Sequence, residues 1–175
     1  ADLDYARYAN NAEQNFSTDY FDMHGIKLQN TYLLSGDIKG NLQILSAKMD
    51  YTYPVNKNTK IETGIKSSYV TADNDLKFYD KSEGAPKFDS TKSNHFIYGE
   101  NINAAYINFL KSFGVYNFQF GLRGEQTNVS GKQLIHGNNF KNNYLQLFPN
   151  ISINKEISTK YSEGITLTRR IDRPS

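Results

Sequence analysis

Large apolar side chains occupy every second position of VYNFQFGLRGEQ, residues 115–126, where Tyr116, Phe118, Phe120 and Leu122 alternate with Asn117, Gln119, Gly121, Arg123 and Glu125. A period of two is that of an extended strand with one apolar and one polar face. The same alternation recurs along the chain. Residues 41–55 set Leu45, Ala47, Met49, Tyr51 and Tyr53 against Ile44, Ser46, Lys48 and Asp50. Residues 59–72 set Ile61, Thr63, Ile65, Ser67 and Tyr69 against Lys60, Glu62, Gly64, Lys66 and Ser68. Residues 95–110 have a mostly apolar face running from Phe96 and Tyr98 through Ile102, Ala104 and Tyr106 to Leu110, which leaves Asn101 and Asn103 on the other. Two further segments, 143–154 and 160–170, follow, and residues 3–16 read as one strand ahead of a long connection over 17–40 that can hold a short hairpin. The pattern predicts an all-β chain, an antiparallel up-and-down meander of about seven long strands.

The links between segments come in two lengths. VNKN, KSFG and KEIST are hairpin-sized, whereas 73–94 and 128–142 are long and rich in Asn, Asp, Gly and Ser. In a meander the short turns then fall at one end of the sheet and the long loops at the other. Transmembrane barrels have this asymmetry. Segments of about 11 to 16 residues exceed the five or six of ordinary strands and suffice for the roughly 9 to 11 of a tilted membrane-crossing strand. A soluble β-sandwich, with the same loops as its recognition end, satisfies the periodicity equally well. Pro149 cannot donate a ladder hydrogen bond, so it marks a bulge or an unpaired site.

Composition narrows the classes. No run approaches the roughly 18 to 20 apolar residues of a spanning helix, and the mean hydropathy is −0.66. Thirteen Tyr and eleven Phe, with no Trp, suit strands and interfacial positions. A net charge of +2 with scattered Lys and Arg provides no stripe for nucleic acid, and without Cys there is no disulfide framework or thiolate metal site. His24, His95 and His136 lack the spacing of metal ligands and are expected to be ordinary surface residues. No nucleophile-elbow, phosphate-loop or zinc-protease motif occurs, so no enzyme and no cofactor is expected, and a barrel enzyme is the weakest reading. Residues 1–20 contain no basic head followed by an apolar run, so no signal peptide is expected.

Five words in order, KMDYTYPV, HFIYGENINAAY, GLRGEQT, NYLQLFPN and RRIDRPS, resemble the β-barrel region of TonB-dependent outer-membrane receptors, most closely the outer-membrane β-barrel family common in Bacteroidetes. The resemblance covers nearly the whole chain. It implies a cell outer membrane location and a barrel whose lumen is blocked by a plug domain. It also implies import of a scarce ligand, such as a metal chelate, cobalamin or a glycan, driven through the TonB system. With no plug, no TonB box and far fewer strands than a plugged barrel of about 22, residues 1–175 are expected to be a partial barrel domain. Cut from its barrel, such a piece would leave two open edges and would self-associate.

On this reading Tyr116, Phe118, Phe120 and Leu122 face lipid, while Lys60, Glu62, Lys66, Arg123 and Glu125, together with Asn101 and Asn103, face the lumen. Tyr53, Phe96, Tyr98 and Tyr116 read as interfacial girdle residues. Arg169, Arg170 and Arg173, around Asp172, are candidates for anion contact at the external rim. Residues 73–94 and 128–142 are expected to be external loops that meet the ligand.

Overall fold

A computed structural model of the chain describes residues 1–135 and 137–170. His136, Arg173 and Asp172 lie outside the described residues. Eight strands form one antiparallel sheet: β1 (Asp2–Thr18), β2 (Tyr32–Asn56), β3 (Thr59–Asp80), β4 (Lys87–Phe88), β5 (Asn94–Phe113), β6 (Tyr116–Gln133), β7 (Asn139–Ser158) and β8 (Tyr161–Thr168). The order is β1-β2-β3-β5-β6-β7-β8, with the short β4 paired to the end of β3 beyond the start of β5. Every long strand thus lies beside its predecessor in sequence. No helix and no second sheet occur among the described residues, so the arrangement is a meander and not a sandwich.

The three tight links, 57–58, 114–115 and 159–160, share one end of the sheet. Gly114 has φ of +58°, which an L side chain rarely adopts, and this lets the chain reverse between β5 and β6. The links at the opposite end are shorter than the sequence pattern suggests. β2 begins at Tyr32, so residues 32–40 are strand and only 19–31 connect β1 to β2. β3 runs on to Asp80, and β6 and β7 extend to Gln133 and from Asn139, leaving 81–93 and 134–138 as connections. Over these stretches neither face is consistently apolar, so the alternation that marks a half-buried strand fades while the backbone ladder continues unbroken. Pro149 causes no register shift against β6. Its carbonyl accepts from the Arg169 amide at 3.2 Å, so its nitrogen edge faces β8 just past the last rung, Asn150 opposite Thr168, where a missing donor leaves no partner stranded.

Sheet registers sort the side chains onto two faces, because directly paired residues point the same way. In the central strands one face is the more enclosed: Ala104 is buried and Tyr106 and Asn108 are half-buried, while Ala105, Ile107 and Phe109 between them are exposed. Neighbouring side chains crowd together on the inside of a curled sheet, and we call this the inner face. Almost nothing else is covered. Ala104 is the one buried hydrophobic residue among those described, and the exposed area of 12883 Å² compares with about 8,700 Å² for a compact monomer of this mass. A single layer that buries so little cannot hold itself together in water.

Crowding on the inner face is relieved by glycine. Gly64 of β3 stands between Asp50 of β2 and Tyr106 of β5, and the Tyr106 hydroxyl reaches over it to donate to Asp50 Oδ1 at 2.5 Å. A Cβ at Gly64 would fall 2.6 Å from the Tyr106 ring and 2.8 Å from the Met49 carbonyl oxygen. Gly64→Ala is therefore expected to displace the ring and cost about 1 to 3 kcal/mol of stability in urea titrations of the refolded barrel. In a Tyr106→Ala background most of that cost should vanish, and strict additivity would show that the ring contact is irrelevant.

The 81–93 connection is fastened to the sheet. Asp89 Oδ1 accepts from the Thr91 amide at 2.9 Å and the Thr91 hydroxyl at 2.5 Å, and Oδ2 from Lys92 Nζ at 2.8 Å. Lys92 Nζ also donates to the Tyr32 hydroxyl at 2.9 Å, while Ser93, nearly fully buried, accepts from the Phe78 amide and donates to the Asp89 carbonyl. The Lys92 ammonium, then Thr91, hold the Asp89 carboxyl well below the usual carboxylate range. A depressed folded-state pKa contributes stability that is present above the unfolded value, about 3.9, and is lost as pH falls below it. Cleavage within 81–93 by an acid-tolerant protease should stay slow from neutral pH down to about pH 4 and accelerate below it. Asp89→Ala should cleave rapidly at neutral pH as well; equal rates for the two proteins would exclude this anchor.

Candidate functional site: the inner wall

Half of the inner face, on the side of the tight turns, is a lattice of charges and amides. Lys48 pairs with Asp50 at 2.6 Å, Lys60 with Glu62 at 2.8 Å, and Arg123 Nε with Glu125 Oε1 at 2.7 Å. Each pair is an i, i+2 neighbour on one strand, a spacing that the pleat of a strand allows and that of a helix does not. Lys48 and Lys66 stand directly opposite one another across β2 and β3, a like-charge pairing offset by Asp50 beside Lys48 and by Asp2, opposite Lys48 on β1. On β7, Ser152 shares a 3.1 Å hydrogen bond with Thr166, and Asn154 donates to Ser152 at 3.2 Å. Lys60, Glu62, Lys66, Arg123 and Glu125 thus share one face.

Around Arg123 this wall forms an open hollow of about 810 Å³ whose lining includes Lys48, Tyr106, Asn108, Glu125, Phe148, Asn150, Arg169 and Arg170. Glu125 is 13% exposed and Arg123 34%, so the pair is partly shielded from solvent. Asn150 Oδ1, Gln146 Oε1 and Thr127 Oγ1 are enclosed on this face without a hydrogen-bond partner among the described residues, and groups of that kind take water or an incoming polar molecule. Arg169 and Arg170 are not at the rim. β8 ends at Thr168 opposite Asn150, so both arginines sit level with the middle of β7, far from the long loops. The β7–β8 register, which no local pattern reveals, fixes that height.

Towards the long loops the inner face changes character. Leu42, Ile44, Val70, Ile102, Tyr98, Phe96, Val129 and Tyr144 follow one another across the strands, with the Phe96 and Phe140 rings stacked at 6.5 Å. The apolar face read along 95–110 is therefore the inner one, shared with Arg123, and Asn101 and Asn103 lie on the outer face, correcting the expectation from sequence. Phe96 and Tyr98 likewise do not share a face with Tyr53 and Tyr116. Alternation along one strand identifies two faces; only pairing to neighbours says which is inner.

Tyr116, Phe118, Phe120 and Leu122 lie on the outer face, opposite Phe113, Lys111, Phe109 and Ile107 of β5 and Lys155, Ile153, Ile151 and Pro149 of β7. With Leu45–Tyr53 alternates on β2 and Ile61–Tyr69 alternates on β3, they make a continuous apolar band whose larger members are mostly exposed. Above the band the outer face is polar. There His95 Nε2 meets Asp73 at 2.8 Å, with Asp75 at 3.8 Å from Nδ1, a pairing that the sequence reading of His95 as a lone surface residue missed. The alternation of Asp73 and Asp75 on β3, opposite the start of β5, is the signal that could have located it. No group of three or more potential metal ligands converges among the described residues.

The sheet is similar to part of the chain in a crystal structure of the ferric citrate transporter FecA in its unliganded form, at 13% identity and a TM-score of 0.47, over 89% of this chain and 26% of that one. This chain thus spans about a quarter of the length of that transporter chain. No curated protein matches it in sequence. Residues 1–175, the full length, match the family described as outer membrane protein beta-barrel family. The chain, an eight-stranded antiparallel meander over its described residues, belongs to that family of outer-membrane proteins.

Proposed function

We propose that the chain is part of the wall of a TonB-dependent transporter barrel that imports a scarce ligand, its outer face against lipid and its charged inner face against the lumen. The observation that carries this reading is the opposition of the two faces at one height: an apolar band outside and the Lys48, Lys60, Glu62, Arg123 and Glu125 lattice inside. Leu45–Tyr53 covers about 27 Å along β2, or roughly 20 Å along the membrane normal at a strand tilt near 40°, close to the usual band of about 25 Å. Strands of 17 to 25 residues for β1 and β2 then project well past the band on the long-loop side. A lumen lined by paired charges with open hydrogen-bonding sites suits contact with a plug domain and passage of a polar solute. TonB coupling, and a metal chelate, cobalamin or glycan as cargo, follow from the resemblance of the five sequence words to that receptor class. Residues 1–175 are then one partial barrel domain of a longer protein.

Three outcomes test this. Phe120→Arg, between Phe109 and Ile151 on the outer face, should cost about 2 to 4 kcal/mol of barrel stability, and Phe118→Arg, nearer the girdle and opposite Lys111, less, while Gln119→Arg on the inner face should change it little; equal costs for Phe120→Arg and Gln119→Arg would remove the lipid-facing assignment. A tag inserted at 83–86 in the full-length protein should be labelled on intact cells, with heat-modifiable migration in the outer-membrane fraction. Deleting the gene should abolish growth on one limiting ferric chelate, cobalamin or oligosaccharide, and removing the TonB system should produce the same defect. Normal growth on all of them would reject import.

A further inference from the structure

Above the apolar band, the outer face of β6 and β7 carries cations with no carboxylate beside them on either strand, and the Asp73 carboxylate on the same rung, beyond Ile97, is held by His95 at 2.8 Å. Ser130 pairs with Lys141 and Lys132 with Asn139, so the four side chains form a two-by-two block on one face. Lys132 and Lys141 are diagonal neighbours, about 7 to 8 Å apart at Cα, within reach of a single phosphate by their flexible stems. Both are exposed, and neither enters an ion pair among the described residues, unlike Lys39 with Asp37 at 3.0 Å and Lys77 with Asp75 at 2.7 Å elsewhere on this face. The next rung down is Asn128 opposite Asn143, and below it Leu145 opens the apolar band. No Asp or Glu lies on the outer face of β5, β6 or β7 at this height.

We propose that this block binds the headgroup phosphate of an anionic lipid whose acyl chains lie against the band at Leu145 and Leu147. The inference rests on the lipid-facing reading of the outer face. Charge complementarity and continuity with that band identify the occupant. Lys141 lies four residues beyond Leu145, about 13 Å along the strand and about 10 Å along the membrane normal when tilted. That is the depth of the headgroup layer, and a lysine stem can bend down further while its ammonium stays among polar groups. Ser130 and the amides of Asn139 and Asn143 supply donors for the remaining phosphate oxygens. The like-charged diagonal is unfavourable when empty and becomes favourable once an anion sits between the two ammonium groups.

The full-length protein, reconstituted in nanodiscs of phosphatidylcholine with a minor share of phosphatidylglycerol and then released into mild detergent, is to be examined by native mass spectrometry for retained lipid. Wild type should keep phosphatidylglycerol in preference to phosphatidylcholine. The double variant Lys132→Gln, Lys141→Gln should weaken that retention roughly thirtyfold, given the usual contribution of each lysine at an anionic membrane surface. Lys39→Gln should leave it unchanged. Heat-modifiable migration of each protein reports barrel insertion separately. An inserted double variant that keeps phosphatidylglycerol as wild type does would overturn the headgroup site alone, whereas failure of wild type to insert would overturn the lipid-facing reading beneath it. Displacement of the lipid by inorganic phosphate at matched phosphorus concentration would overturn the lipid assignment in favour of a free-anion site.

Discussion

Backbone hydrogen bonding between consecutive strands is the constraint on which everything else in this molecule depends. The chain has almost no side-chain core, and its strands are held by a ladder that joins each to the next from β1 to β8, shifting register only beside the tight turns at Pro54/Asn56 and Glu156/Ser158. In a hydrocarbon environment every N–H and C=O must be satisfied within the protein, and a long antiparallel ladder does this for all strands but the outermost two. The side chains are thereby freed from packing against one another. One face can be surrendered to an apolar solvent and the other to charge.

Consequences of that division appear in the side chains. Ion pairs on the inner face run along single strands, from Lys60 to Glu62 and from Arg123 to Glu125, so they brace a wall without crossing a core. Glycine at position 64 makes room for a tyrosine to cross a neighbouring strand, which allows a crowded inner face to curl. The connection 81–93 is not a free flap: Asp89, Lys92 and Ser93 clamp it to Tyr32 and Phe78, so any ligand that meets it meets an extension of the sheet.

Much of this was legible along the chain. Alternation in 41–55, 59–72 and 115–126 identified three strands and assigned Lys60, Glu62, Lys66, Arg123 and Glu125 to the faces opposite the aromatic and aliphatic series, as the registers have it. Tight turns at one end were equally plain, because Asn, Gly and Lys at 57–58 and 114–115 leave room for nothing longer. The strands were read too short where the outer face is mostly polar and the inner face mixes Leu34, Ile38, Leu76 and Phe78 with Gly36, Gly40, Asn74 and Gln133, so that no regular alternation marks them.

By itself, the sequence determined the class, the meander order, the two-faced strands and the family, since each depends on local period, turn chemistry or linear order. Only the tertiary structure decided which face is inner on β5, how far the ladder continues past the band, and at what height Arg169 and Arg170 sit. Each of those is a relation between strands. A residue at a given position in its own strand can slide along its neighbour without any change in its own alternation, and only the register of the ladder fixes where it stops.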